Sequence, residues 1–436
     1  MTRRLSVLLF AIGLQAPLMA QSPLPPATEA PSAFDTPTLA TNPGSQSHSN
    51  GIVEPTGDSF QLDQQIYETT HDVSTGLGPV YNGRSCAECH QNPVSGGASQ
   101  FTELRVGHAV KGTFINPTVP IGDCPTNVPV DDCPNKIMGR SIVNDRAVVP
   151  EAQEKIPTTE NLRELRAALI TLGDGFVEAV ADSTLNDIAR LQKEITRGRI
   201  QGEAIEVPMF EAPGETRVGR FGWKDQHGSL LSFVADAYLN EMGVTNPLRP
   251  TDTVAFDTFG KSTSDPEDKP DNLGLADIDH FAQFVRGTKV PPRDANLQYT
   301  PDAVAGEKLF ITTGCAICHV ATLITAPAGT AINSKFSVPA ALGNKKIHPF
   351  GDYLMHDIGT AGGIVQTATA QDTAFKFRTA PLWGLRMRPR YMHDLRSLTL
   401  EDAIERHHVE AEDVTKRFRE LSDVEKQELI TFLNSL

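Results

Sequence analysis

Two short runs in this chain have a residue spacing that dictates chemistry. Cys86-Ala87-Glu88-Cys89-His90 and Cys315-Ala316-Ile317-Cys318-His319 both read C-x-x-C-H, the attachment motif of a c-type haem. Two thiols three positions apart on one helical turn can each add to a haem vinyl group. The adjoining histidine then lies under the iron as its proximal ligand. With six Cys and twelve His, one chance match is expected only about 0.002 times. A zinc site needs Cys and His sets close enough to complete four ligands, and these motifs lie more than 220 residues apart. The reading is two covalently bound haems, one on Cys86, Cys89 and His90, the other on Cys315, Cys318 and His319. Cys124 and Cys133, in a Pro- and Asp-rich stretch, read as a local loop disulfide in an oxidising compartment.

The elements that must position these motifs read mostly as helices. Thr300 caps a helix with Pro301 at its first position, and that helix runs into Gly314 and the second motif. Thr399 with Asp402, and Ser422 with Glu425, give two further starts resembling capping boxes. The first of these carries Leu400, Ala403, Ile404 and His407 on one inward stripe, with His408 rotated off it. Between the motifs, helices are expected over Glu160–Leu172, Thr184–Arg197, Leu230–Met242 and Asp277–Arg286, each followed by Gly. In the third, Ser229 is the cap, and Val234, Ala237, Tyr238 and Glu241 share a stripe. A carboxylate on an apolar stripe is either paired, here with Arg220 or Lys224, or functional. Long loops fill the gaps, as 31 Pro and 34 Gly require. The expected fold is mainly α: two cytochrome c-like haem domains with long loops and a large insertion in the first.

The chain has 436 residues and a net charge of −15, which argues against nucleic acid or anionic lipid as the main partner. Arg3 and Arg4, an apolar core from Leu5 to Leu14, and Leu18-Met19-Ala20 form an export signal. Its apolar core is too short to span a bilayer, and no later segment is longer, so no membrane span is expected. Gln21 to Asp58 is nearly uncharged and rich in Pro, Ser and Thr, the composition of a disordered tether. The expected layout is a signal peptide at 1–20, a linker at 21–58, a first haem domain at 59–292 and a second at 293–436. Such a protein is periplasmic.

Four blocks resemble one family, the bacterial di-haem cytochrome c peroxidase and MauG-like superfamily, and within it a peroxidase-like, thiol-oxidoreductase-like branch. They are Leu77 through His90, Arg220-Phe-Gly-Trp-Lys224, Phe377 through Leu385, and Arg390-Tyr-Met-His-Asp394. The likeness covers roughly residue 58 to the end and is weak from Glu103 to Val218. It implies that His90 and His319 are proximal ligands. It places a distal ligand of the second haem fourteen residues past His393, at His407, which the helical stripe selects independently. Trp223 matches a tryptophan that relays electrons between haems, and Glu241, in Asn240-Glu241-Met242, matches an acid–base residue. The usual Trp-Asp-Gly-Arg is Trp223-Lys-Asp-Gln226 here, and His-Asp-Gly-Ser is His393-Asp-Leu-Arg396. His71 and His108 are both open as a distal ligand of the first haem, or as loop residues. Met355 and Met392 are rival axial ligands of the second. His356 and His393 read as hydrogen-bond or propionate partners, and Trp383 as packing; His227, His280 and His348 receive no role.

Three functions compete. In the first, a peroxidase keeps one haem six-coordinate and the other open to a small oxidant such as hydrogen peroxide. Its electrons come from a small c-type cytochrome or cupredoxin. In the second, an electron carrier saturates both irons, although more than 200 residues per haem is large for that. In the third, the same fold acts on another substrate, as relatives do that complete a protein-derived cofactor or cleave polyisoprene. A calcium ion between the domains, as in some relatives, is left open.

Overall fold

The computed structural model describes residues 26–33, 49–124, 128–254, 268–366 and 370–436. The expected export signal lies outside the described residues. No helix among them is long and apolar enough to cross a membrane.

The mainly α expectation is wrong. Of the described residues only 31% are helical, with 16% strand in several small sheets, so the fold belongs to a mixed class. Most of the difference lies between the first motif and Trp223. There the strand Thr102–Val110 pairs antiparallel with Thr113–Ile115, Ile142–Val143 and Leu162–Ala167. The last of these is half of the helix expected over Glu160–Leu172. Its Leu, Glu, Arg and Ala are good helix formers, but a six-residue register against Thr102–Val110 overrides that preference. The pairing sets Glu103 opposite Arg166 and Arg105 opposite Glu164, a ladder of opposite charges.

The helices are α1 Phe60–Glu68, α2 Cys86–Cys89, α3 Asp174–Glu178, α4 Asp182–Ile195, α5 Leu230–Met242 and α6 Asp277–Gly287. After the second motif's leading helix α7, Pro301–Thr313, come α8 Leu400–Glu405, α9 Glu412–Arg419 and α10 Asp423–Leu433. Ser229, Thr300, Thr399 and Ser422 each accept a backbone N–H as N-caps, as their sequence context requires. Gly243 ends α5 at φ 76°, and a Cβ there would meet the Gly78 carbonyl at 2.6 Å, so only glycine fits.

A large core joins α1, α5 and α6 through Phe60, Tyr67, Tyr238, Phe281 and Phe284, and it extends to Leu323, Leu342, Tyr353 and Trp383. A second core packs α7 against α10 through Phe310, Leu429, Phe432 and Leu433. Cys124 and Cys133 form a disulfide with Cα atoms 5.4 Å apart. Within 21–58, Thr28–Glu29 pairs parallel with Lys345–Lys346, and Asn50 Nδ2 donates to the Arg286 and Thr288 carbonyls at the end of α6.

Candidate haem sites

One cavity, of about 680 Å³, is built around Cys86, Cys89 and His90. Ser85 caps α2, its hydroxyl accepting from the Glu88 amide at 3.1 Å, so a single helical turn carries both thiols. Both are free, and burial pushes them up, Cys89 to about 12. Burial pushes His90 down to about 4, which keeps the ring neutral, the form that ligates metals. Its Nδ1 is buried with no hydrogen-bond partner among the described residues.

Val234, Ala237, Tyr238 and Glu241 of α5 line this cavity, as their shared stripe requires. Glu241 Oε2 accepts from Asn82 Nδ2 at 2.7 Å. The amides of Asn82 and Gly83 donate to the Glu241 carbonyl at 2.7 and 3.3 Å. The end of α5 is thus tied to the segment that leads into the first motif. Neither expected ion-pair partner reaches Glu241. Arg220 binds Asp182, and Lys224 Nζ donates to the carbonyls of Thr373, Ala374 and Lys376. Glu241 instead meets Glu103 and Arg105 from the sheet, with Arg105 Nη2 3.9 Å from Oε1. Burial and the Glu103 carboxylate raise Glu241 well above the usual carboxylate range. Burial works against ionised Glu103 too, but Arg105, bonded to both its oxygens, holds it down to about 2. Of the two carboxylates, Glu241 therefore holds the proton.

The other cavity, of about 220 Å³, is lined by Cys315, Cys318, His319 and His407. Gly314, at φ 101°, ends α7 and turns the chain into Cys315. Helix α8 stops at Glu405, earlier than the stripe implies. His407 keeps its phase because its Nδ1 bonds the Ala403 carbonyl at 2.8 Å, while His319 Nδ1 bonds the Phe350 carbonyl at 3.0 Å. Each Nδ1 thus carries the proton, leaving each Nε2 as the ligating atom. The two ring centres are 6.5 Å apart. Imidazoles bound on opposite sides of one metal by bonds of about 2 Å have centres roughly 6 Å apart. The donor set therefore fits an iron held between them, beside two thiols.

Other candidates resolve plainly. His393 faces the carbonyls of Leu165 and Thr360 with its two nitrogens, at 2.9 and 3.2 Å. His356 lies between Asp352 and Glu410, 2.9 Å from each. Met392 lines the second cavity, whereas Met355 is fully buried in a strand outside the lining. His90 is the one imidazole among the described residues lining the first cavity. His71 bonds the Thr75 carbonyl and lies near the Tyr238 hydroxyl, and His108 pairs with Glu160 at 2.8 Å.

Trp223 lines both cavities, as do Ser99, Ala167, Ala168, Leu169 and Arg378. Its Nε1 donates to the Ala167 carbonyl at 2.7 Å, fixing the indole in the shared wall. Trp383 is buried in the large core, outside both linings. Sequence reasoning missed Glu103, Arg105, Asn82 and Arg378. Glu103 and Arg105 were detectable as an i, i+2 pair on one face of a strand, and Arg378 stands inside a block already singled out.

Two C-x-x-C-H cavities, joined by a wall that carries an indole, define a di-haem protein. A family model described as "Di-haem oxidoreductase, putative peroxidase" matches residues 152–436, and the chain belongs to that family. It is a di-haem oxidoreductase, with haem as its cofactor. No curated protein matches the chain. Among solved structures, it is similar to Kuenenia stuttgartiensis hydrazine synthase pressurised with 20 bar xenon, at TM-score 0.38 and 13% identity, over 98% of this chain and 100% of that one. It is also similar to a MauG-like protein associated with microbial copper homeostasis, at TM-score 0.28 and 18% identity, over 50% of this chain and 68% of that one. At these scores neither neighbour bears on function.

Proposed function

We propose that this is an exported, periplasmic di-haem c-type oxidoreductase that reduces a peroxide. Cys86 and Cys89, and Cys315 and Cys318, would hold the haems covalently, with His90 and His319 as proximal ligands and His407 as the distal ligand of the second. The observation that carries this reading is the asymmetry of the cavities. The second has two facing imidazoles. The first has one imidazole and, in place of another, the Glu241, Glu103 and Arg105 cluster. Haem in these cavities supplies one-electron redox chemistry at iron.

The chain's own groups do the rest. Once Glu241 has released the proton that burial and Glu103 hold on it, its carboxylate takes a proton from the peroxide and returns it to the departing oxygen. Arg105 keeps Glu103 ionised, and Asn82 fixes the Glu241 carboxyl toward the cavity. Trp223 stands on the path between the haems, which a small redox protein would supply with electrons. The division into haem domains at 59–292 and 293–436, behind a signal peptide, belongs to the same proposal.

The optical and electron-spin spectra of the isolated protein test it. We expect one low-spin and one high-spin haem, and a pyridine haemochrome of two c-type haems per chain. His407→Ala should convert the low-spin haem to high spin and raise its potential, since imidazole ligation holds the potential below that of a Met-ligated haem. Two low-spin haems in the wild type would return the protein to the electron-carrier reading, with Met242 the next ligand to test. A low-spin signal that survives His407→Ala and disappears in Met392→Ala would move the distal ligand.

Trp223→Phe gives a separate expectation. Its ring should still fill the wall, so both spectra should stay near wild type while electron transfer between the haems slows. Unchanged transfer in stopped-flow reduction would leave Trp223 as a packing residue.

A further inference from the structure

A cluster of acidic groups and one imidazole lies away from both haem cavities, where α1 packs on α6. Asp63 of α1 and His280 of α6 are 0% and 1% exposed at their side chains, with His280 Nδ1 2.6 Å from Asp63 Oδ1. Asp58, equally buried, brings Oδ1 to 3.8 Å from the same nitrogen, and one ligand atom from each of the three residues lies within 4.8 Å of the others. Asp271 Oδ2 stands 3.6 Å from His280 Nε2.

A plain ion pair accounts for the contact between Asp63 and His280 and for nothing else here. Asp63 Oδ2, Asp58 Oδ2, Glu54 Oε1 and His280 Nε2 are all buried with no hydrogen-bond partner among the described residues. His280 Nε2 at least has Asp271 beside it, but the three carboxylate oxygens are costly, because each forfeits its water without gaining a partner. The cluster also carries more negative than positive charge. Arg286, whose field reaches Glu54, is already held by both oxygens of Glu178, at 2.6 and 3.0 Å. A divalent cation would satisfy the orphaned oxygens and the charge together.

We propose that Asp58, Asp63 and His280, with Glu54 beside them, form a third metal site in this protein, separate from the haems, for a divalent first-row cation. Carboxylates mixed with an imidazole suit Zn²⁺ or Mn²⁺, whereas Ca²⁺ wants six to eight oxygens and no nitrogen. The site joins the segment before α1 to α6 across more than 200 residues of sequence, so occupancy would lock the first haem unit's helices together.

The full-length holoprotein is the material for the test, since covalent haem survives removal of loose metal by a chelator. Titration with ZnCl₂ by calorimetry, with native mass spectrometry for stoichiometry, should give one Zn²⁺ per chain and a higher melting temperature. Loss of an outer partner alone weakens metal sites about 10–100-fold, so Asp63→Asn should weaken binding by more than that. Glu54→Gln, at a half-buried position, serves as a second variant if Asp63→Asn does not fold. Haem content and spectra should be unchanged in both, which separates this site from the peroxidase reading. No Zn²⁺ binding in the wild type would overturn the proposal. So would binding unaffected by either variant, or a site that takes Ca²⁺ and refuses Zn²⁺.

Discussion

Glu241→Gln should retain both haems and lose peroxide turnover by about 10²–10⁴. Glutamine keeps the shape of the side chain and can still bond Asn82, which holds Oε2 at 2.7 Å. It cannot carry a titrating proton. The proton resides on Glu241 because burial and Glu103 raise its carboxyl well above the usual range, while Arg105 holds Glu103 down to about 2. The wild-type rate should therefore rise with pH as Glu241 loses that proton and becomes a base, and the variant should lose this limb. Glu103→Gln removes the like charge, so the limb should move to lower pH. The sign follows from linkage: a neighbouring negative charge favours the protonated form, and deleting it lowers the pKa. Full activity in Glu241→Gln, with Asp236→Asn inactive, would put the acid–base role one turn earlier on α5, where Asp236 also lines the cavity.

What was legible in the sequence follows from how local each signal is. Helices α4, α5, α6 and α7 begin and end within two residues of their expected bounds, because caps and stop glycines are set by neighbours in sequence. Helical phase likewise found the cavity face of α5 and the position of His407, even though α8 ends two residues before it. The strands were lost for the opposite reason. Leu162–Ala167 is extended only because Thr102–Val110, more than fifty residues earlier, offers it a ladder, and nothing within the segment records that. The partners of Glu241 went with them, since Glu103 and Arg105 stand on that ladder. His280 looked idle because Asp63 lies 217 residues away in sequence. The residues proposed to hold haem announce themselves by spacing, while the groups around Glu241 are assembled by the tertiary fold.

His356→Leu should destabilise the holoprotein by about 3–5 kcal/mol near neutral pH, the cost of leaving buried charge without its partner. The ring is 3% exposed and joins Asp352 Oδ2 on one nitrogen to Glu410 Oε2 on the other, each at 2.9 Å. Burial alone lowers an imidazole. Here the Cys318 sulfur, 3.8 Å away, and the Asp352 carboxylate overcome that and raise His356 well above its ordinary value. With Cys318 carried as a thioether its share disappears, and the Asp352 and Glu410 carboxylates, each 2.9 Å from a ring nitrogen, are the charges left to hold the proton. A raised imidazole contributes stability that is complete below its unfolded pKa of about 6.5 and is lost as pH climbs through the folded value. The deficit of the variant should therefore be full at pH 6 and shrink as pH rises into the alkaline range. It should shrink again in acid, where Asp352 and Glu410 protonate and no longer need a cation. Gln192 Nε2 on Asp352, at 2.6 Å, and the amides of Gln201 and Asp357 on Glu410, at 2.9 and 3.1 Å, soften the loss. They donate hydrogen bonds but bring no charge. Urea unfolding at pH 6 and pH 9, with haem content matched between wild type and variant, measures the difference. A deficit under about 1 kcal/mol at pH 6 would mean that the ring is neutral in the fold and that His356 merely bridges two carboxyls, one of them protonated.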